Sequence, residues 1–265
     1  MIAAYETACR AAGQRPATIE LRRVILERLV RDTGVPLAAH TPDTLAAWLA
    51  RPSWGAETRR AARNALTGFY RWAHGTGRLE TDPAAGLAPI RPAPPAPRPI
   101  PEHALAKALA RADARQGLAL TLGASAGLRV SEAAAVNTAD LEADLLGPCL
   151  RVHGKGGKTR VVPIHETLAD AIRAAARAGP AGWAFPNPYR PADHVSGNHL
   201  GRICRPLLAP YTFHALRHRY ATVTYTAGGD LLAVCRLLGH ASPTTTQRYV
   251  QTDAARLRSA ALAAA

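Results

Sequence analysis

Apolar positions recur every three to four residues over most of this chain, and every second residue over one short stretch. That pattern predicts a mainly helical protein with a small β-sheet or hairpin. Residues 16–33 read as a helix, with Pro16 at its start and Ile19, Leu26 and Val30 at helical spacing alongside Arg22 and Arg23. Thr41-Pro42-Asp43 starts another: a hydroxyl cap, a proline at the first helical position and an acid in the first turn, followed by Leu45, Trp48 and Leu49. A third helix runs from about Glu57 to His74, with Leu66, Phe69, Tyr70 and Ala73 on one side. Gly75-Thr76-Gly77 stops it, and Asp82-Pro83-Ala84 turns the chain into a short segment ending near Leu87. Residues 1–88 are expected to form a compact bundle of four helices or so.

The pattern is then interrupted. Residues 89–101 hold seven prolines in thirteen positions, which excludes helix and sheet. This strap is expected to be extended, reaching about 40 Å at roughly 3.1 Å per residue. It marks a domain boundary. Beyond it, residues 102–116 and 118–126 read as helices, the second apolar all round and hence buried. Gly127 ends that helix, and residues 131–136 are helical again. Alternating positions from Cys149 to His153 and from Thr159 to Ile164, joined through Gly154-Lys155-Gly156-Gly157-Lys158, predict a β-hairpin. Helices are expected over 166–178 and 193–207, separated by a loop in which Trp183 and Phe185 plug the core. A helical segment follows Phe213, an amphipathic helix covers Leu231–Leu238, and Ser242-Pro243 opens another.

Charge changes the picture. The chain carries a net +14, and the excess is spread out, +4 over residues 1–88 and +8 over residues 102–265. A polyanion, nucleic acid first, is the natural partner; the competing reading is arginine usage imposed by a GC-rich genome. Arg59, Arg60, Arg63 and Arg71 line the side of the third helix opposite its apolar face, and Arg91 and Arg98 lie on the strap. Each set reads as phosphate contacts or, more plainly, as a solvated helix face and an inert spacer. The four cysteines form no C-x-x-C pair, which suggests neither a disulfide framework nor a zinc knuckle and fits a reducing cytoplasm. No signal sequence and no long apolar run points to export or a membrane.

Six residues carry candidate chemistry. Arg129, in Gly127-Leu128-Arg129-Val130-Ser131-Glu132, sits at the junction of a buried helix and the next, where a guanidinium needs an anion. Glu132 orients it, or the two are a structural pair. Lys155 rides at the hairpin tip, where a flexible ammonium can reach a leaving oxygen; its glycines lack the spacing and following helix of a nucleotide-binding loop. His214 and Arg217 share a helix face. His214-x-x-x-His218 is also a legitimate zinc pair, though it lacks an intervening Glu and has Arg217 beside it. His240 follows Leu238-Gly239, and Tyr249 lies nine residues further on. A lone tyrosine in such a place is normally a core aromatic; its company makes it a candidate nucleophile.

In that order these residues resemble the tyrosine recombinase (phage integrase) family over nearly the whole chain. The resemblance implies a SAM-like four-helix core-binding domain at 1–88, a linker at 89–101 and a mixed α/β catalytic domain at 102–265, with a C-terminal exchange helix from about 253. It implies site-specific cutting and rejoining of double-stranded DNA through a 3′-phosphotyrosine on Tyr249. Arg129 and Arg217 would hold the phosphate, His214 would serve as acid/base, His240 as a hydrogen-bond donor and Lys155 as general acid. No cofactor and no metal is implied. Partners would be attachment or recombination sites, a homo-tetramer in synapsis and a DNA-bending or directionality factor, in the nucleoid. With no arm-binding domain ahead of it, the chain stands nearest the Xer type or a short phage integrase. The alternatives are a type IB topoisomerase-like enzyme, a degenerate DNA-binding protein and a zinc hydrolase.

Overall fold

The computed structural model describes residues 1–91, 98–154, 157–228 and 230–239. It divides the chain into two compact units, Met1–Pro95 and Ala96–Ala265.

In the first unit α1 (Ile2–Ala11), α2 (Pro16–Thr33), α3 (Pro42–Leu49) and α4 (Ala56–Gly75) pack around a core of Leu26, Leu29, Leu45, Leu66, Phe69 and Tyr70. The start of α3 is built as its sequence directs. The Thr41 hydroxyl accepts from the Thr44 amide at 3.3 Å, and the Thr44 hydroxyl accepts from the Thr41 amide at 2.9 Å. Two aromatic polar atoms are matched: Tyr70 donates to the Leu37 carbonyl (3.0 Å), and Trp48 donates to Asp32 (3.2 Å), which also takes Arg51 at 2.6 Å. Helix α1 was not expected. Its apolar residues are mostly alanine, yet Tyr5 and Cys9 are buried and Arg22 donates to the Tyr5 hydroxyl at 2.9 Å.

The second unit begins with α5 (Glu102–Ala110) and α6 (Ala114–Ser125). These replace the expected helices 102–116 and 118–126. The break falls earlier because Asp113 caps a new helix, its carboxylate accepting from the Gln116 amide at 2.7 Å while Gln116 accepts from the Asp113 amide at 3.1 Å. After α7 (Val130–Ala134) comes an antiparallel sheet in the order β1 (Leu141–Asp144), β2 (Gly147–His153), β3 (Thr159–Pro163). The expected hairpin is its β2–β3 half, with Leu150 opposite Val162; β1 is an addition that pairs Leu141 with Leu150. Helix α8 (Glu166–Ala176) follows.

The expected loop at 179–191 contains β4 (Pro186–Asn187), which pairs with β5 (Arg190–His194), so α9 (Gly197–Leu208) starts later than 193. Ser196 sets that start by accepting from the His199 amide at 3.1 Å. Phe185 is fully buried as expected, whereas Trp183 is only half-buried, its ring tilted against His194 and its indole nitrogen donating to the Ala192 carbonyl. Finally come α10 (Phe213–Gly228) and α11 (Leu231–Leu238). The strap residues 92–97, the helix expected from Ser242-Pro243 and the exchange helix expected from about 253 lie outside the described residues. Among the described residues no helix is long and apolar enough to cross a membrane.

Two glycines let α10 approach α6 closely. A Cβ at Gly123 would lie 2.8 Å from the Leu216 side chain, and one at Gly127 would lie 2.4 Å from the Tyr220 ring. Gly127 also has φ +65°, a left-handed conformation that costs any other residue. Gly127→Ala is therefore expected to destabilise the second unit by about 2–4 kcal/mol, combining backbone strain with overpacking. Denaturant unfolding of the variant checks this; a loss below about 1 kcal/mol would mean that α10 can retreat without cost.

Candidate active site

The site is organised around one buried carboxylate. Glu132 lies in α7, and Arg129 is the residue capping that helix. The Arg129 amide donates to Glu132 Oε2 at 2.9 Å, and its guanidinium Nη1 donates to Oε1 at 2.6 Å. Arg160, from β3, grips the same carboxylate with both terminal nitrogens, Nη2 to Oε2 at 2.7 Å and Nη1 to Oε1 at 3.2 Å. Arg217, from α10, sits 3.7 Å from Oε2. Burial alone would raise the Glu132 pKa. Hydrogen bonds from Arg160 and from the Arg129 amide, with the nearby positive charge, outweigh it and hold the carboxyl at about 2.

The arginines differ in access. The Arg129 side chain is 36% exposed, Arg160 8% and Arg217 not at all. Arg217 donates to the Gly127 carbonyl at 2.7 Å and to the Leu238 carbonyl. It thereby joins the turn before Arg129 to the end of α11, just ahead of His240. Arg160 Nε donates to the neighbouring Leu237 carbonyl at 2.7 Å.

His214 lies in the first turn of α10, exposed on one side. The protein packed beneath it, then the charges of Arg217 and Arg129, hold its pKa below the ordinary imidazole value. It is thus neutral near pH 7 and able to accept a proton. Its ring meets that of His218 edge to face, 4.4 Å between centroids. Burial, with His214 and Arg217, pushes His218 down to about 4. His218 Nδ1 accepts from the Arg98 amide at 3.0 Å, and the Ile100 amide bonds the Ala215 carbonyl at 3.2 Å. The end of the proline strap is therefore stitched along α10, and Ile100 is buried. Among the described residues no third metal-ligating side chain joins the two histidines.

Of the six candidates, the structure brings Arg129, His214 and Arg217 together. Lys155, His240 and Tyr249 lie outside the described residues. Among the arginines proposed for DNA contact, Arg63 donates twice to the Leu87 carbonyl (3.0 and 2.7 Å), and Arg59 donates to the Arg51 carbonyl at 2.9 Å. Arg60 pairs with Glu57, while Arg71, Arg91 and Arg98 are exposed. Arg160 was not foreseen. The signal was available: it shares the inward parity of a strand with buried Val162 and Ile164, while Val161 faces out at 49% exposure. A guanidinium on an inward position requires an anion.

The family model described as the phage integrase family matches residues 102–256, more than half of the chain. The chain belongs to that family. The recombinase is 37% identical over 234 residues to the tyrosine recombinase XerC of Rhodospirillum centenum, covering 80% of this chain and 68% of that protein. It is 31% identical over 263 residues to the tyrosine recombinase XerC of Chromobacterium violaceum, covering 91% and 86%. Among solved structures, the lambda integrase dimer bound to a COC′ core site aligns over 94% of this chain and 75% of that chain, with a TM-score of 0.72 at 19% identity. The XerH recombinase bound to difH aligns over 98% and 83%, with a TM-score of 0.66 at 20% identity. These structural likenesses establish the fold; the sequence relatives establish a site-specific tyrosine recombinase that breaks and rejoins DNA strands. They do not favour a topoisomerase or a degenerate binding protein.

The carboxylate makes a pH prediction. Because Glu132 has a folded pKa of about 2 against 4.5 for the free group, its contribution is fully present above pH 4.5 and is lost as pH falls through about 2. The size is roughly 3 kcal/mol, an order of magnitude only. Unfolding free energies measured between those pH values should fall for the native chain and fall less for Glu132→Gln. Parallel curves for the two would show that the carboxylate is not held down by its arginines.

Proposed function

We propose that Arg129, Lys155, His214, Arg217, His240 and Tyr249 form the catalytic set, and that the recombinase cleaves one DNA strand at a time through Tyr249. The observation carrying this reading is the convergence of Arg129 and Arg217, from elements far apart in sequence, on Glu132, with His214 near enough to feel both guanidiniums. Arg129, the guanidinium with solvent access, meets the scissile phosphate. Arg217 adds positive potential from its buried position, where screening by water is weak.

The Tyr249 oxygen attacks phosphorus, its proton passing to neutral His214. The bond to the 5′ oxygen breaks, and Lys155 supplies that oxygen's proton while His240 donates a hydrogen bond to the phosphate. The 3′-phosphotyrosine retains the energy of the broken ester, so an incoming 5′ hydroxyl reseals the strand without ATP. The arginines supply the positive charge, so the mechanism calls for no cofactor or metal.

The first unit is the core-binding domain, with Arg71 and Arg91 as its freest candidates for phosphate contact and Arg98 beyond the strap. The natural substrate is a pair of double-stranded attachment or recombination sites in the nucleoid, held by a homo-tetramer with or without a DNA-bending or directionality factor. Two structural neighbours support that reading: a lambda integrase tetramer bound to a Holliday junction supports the assembly, and XerH bound to difH supports the DNA partner.

Tyr249→Phe is expected to bind a nicked duplex carrying the recombination site as tightly as the native chain and to form no covalent adduct on denaturing gels. A surviving adduct would remove Tyr249 as nucleophile. Arg129→Ala is expected to slow single-turnover cleavage by about 100-fold or more, as loss of a charge-stabilising donor does; a loss of only a few-fold would make Arg129 structural. Duplex affinity should also weaken steeply between roughly 50 and 200 mM salt, and a flat titration would contradict a phosphate-dominated interface.

A further inference from the structure

We propose that Arg160 is a positioning residue for strand cleavage, one that ties the Lys155 hairpin to the Arg129–Glu132 pair and to the carbonyl end of α11. The proposal rests on the catalytic set argued above and adds a residue outside it.

Three contacts carry the inference. Arg160 faces inward from β3, five residues after Lys155 on the same hairpin. Its two terminal nitrogens clasp both Glu132 oxygens, at 2.7 and 3.2 Å. Its Nε donates to the Leu237 carbonyl at 2.7 Å. One planar group thus fixes the relative placement of β3, α7 and α11, a task that a single-point ammonium cannot perform.

The surroundings are shaped to admit it. Gly239 follows α11 with φ +63°, and a Cβ there would lie 3.1 Å from Arg160 Cδ and 3.3 Å from its Nη1. The side chain therefore runs across the glycine that immediately precedes His240. At the other end, the root of the hairpin is close: a Cβ on Gly154 would lie 3.8 Å from both Arg160 Nη1 and Glu132 Oε1, and the Gly154 amide bonds the Lys158 carbonyl at 2.7 Å.

Arg160 is almost wholly buried in the described residues, so it does not meet the phosphate itself. It acts through three groups: it shares Glu132 with Arg129, it anchors the strand leading from Lys155, and it sets the point from which the chain departs towards His240 and Tyr249. Misplacement of reacting groups by about 1 Å is enough to cost roughly 100-fold in rate.

The test compares the full-length native chain with Arg160→Met, Arg160→Lys and Arg129→Ala on the nicked duplex. It reads duplex affinity, melting, single-turnover cleavage and the pH profile of unfolding free energy. Arg160→Met is expected to bind DNA within about threefold of the native chain and to cleave about 100-fold more slowly. The acid limb of its unfolding free energy should move to higher pH, because Glu132 has lost its principal partner. Arg160→Lys should restore the limb while leaving cleavage about 10-fold slow, since charge returns without the fork.

Cleavage by Arg160→Met within threefold of native, or a loss that only tracks the folded fraction with the pH profile unmoved, overturns the proposal. If Arg160→Met does not fold, Arg160→Lys decides: native-rate cleavage by that variant is equally fatal. If Arg129→Ala is slow while both Arg160 variants are fast, this inference alone fails. If Arg129→Ala is fast, the catalytic set itself is wrong.

Discussion

Three guanidiniums within reach of one another would repel unless an anion stood among them, and Glu132 is that anion. Removing its charge would leave the arginines of α7, β3 and α10 uncompensated in a region from which water is largely excluded. The carboxylate does not cancel the site. With one negative charge against three positive ones, the surroundings stay attractive to a phosphate, while the arginine side chains are held in fixed places before any substrate arrives. This is preorganisation in its simplest electrostatic form: the donors are oriented at folding rather than during the reaction.

The same charge arrangement accounts for the histidine chemistry. Positive neighbours and burial both disfavour a protonated ring, so His214 stays neutral and His218, deeper and beside it, is pushed to about 4. A neutral His218 keeps a lone pair for the Arg98 amide. The segment following the proline strap is consequently fastened to the helix that carries His214 and Arg217, and the fastening persists over the whole range in which the ring remains unprotonated.

Much of this was legible in the sequence, for definable reasons. The long helices α2 and α4 were placed within a residue at each end, the first from Pro16 at its start and the second from a strong apolar stripe along its length. Thr41-Pro42-Asp43 gave the start of α3 outright. Alanine-rich stretches misled: the apolar residues of α1 are mostly alanine, and the α5–α6 break depends on a single aspartate rather than on any change of hydropathy. Arg129 and Arg217 were recognisable by motif, whereas Arg160 needed strand parity to be weighed against charge. The basic face of α4 shows the limit of reading charge alone. Arg59 and Arg63 look like surface charge in the sequence, but long arginine stems let them turn back and hold main-chain carbonyls.

All four cysteines are buried, Cys9 in the first unit and Cys149, Cys204 and Cys235 in the second, with burial pushing the Cys204 thiol up to about 11. Such sulfurs are sluggish towards oxidants and alkylating reagents so long as the fold stays closed. Each becomes reactive when its neighbourhood opens, so the rate at which Cys9 takes up a label clocks the breathing of one unit and the other three clock the second. The molecule thus carries its own set of timers, read by mass spectrometry without introducing a single foreign group.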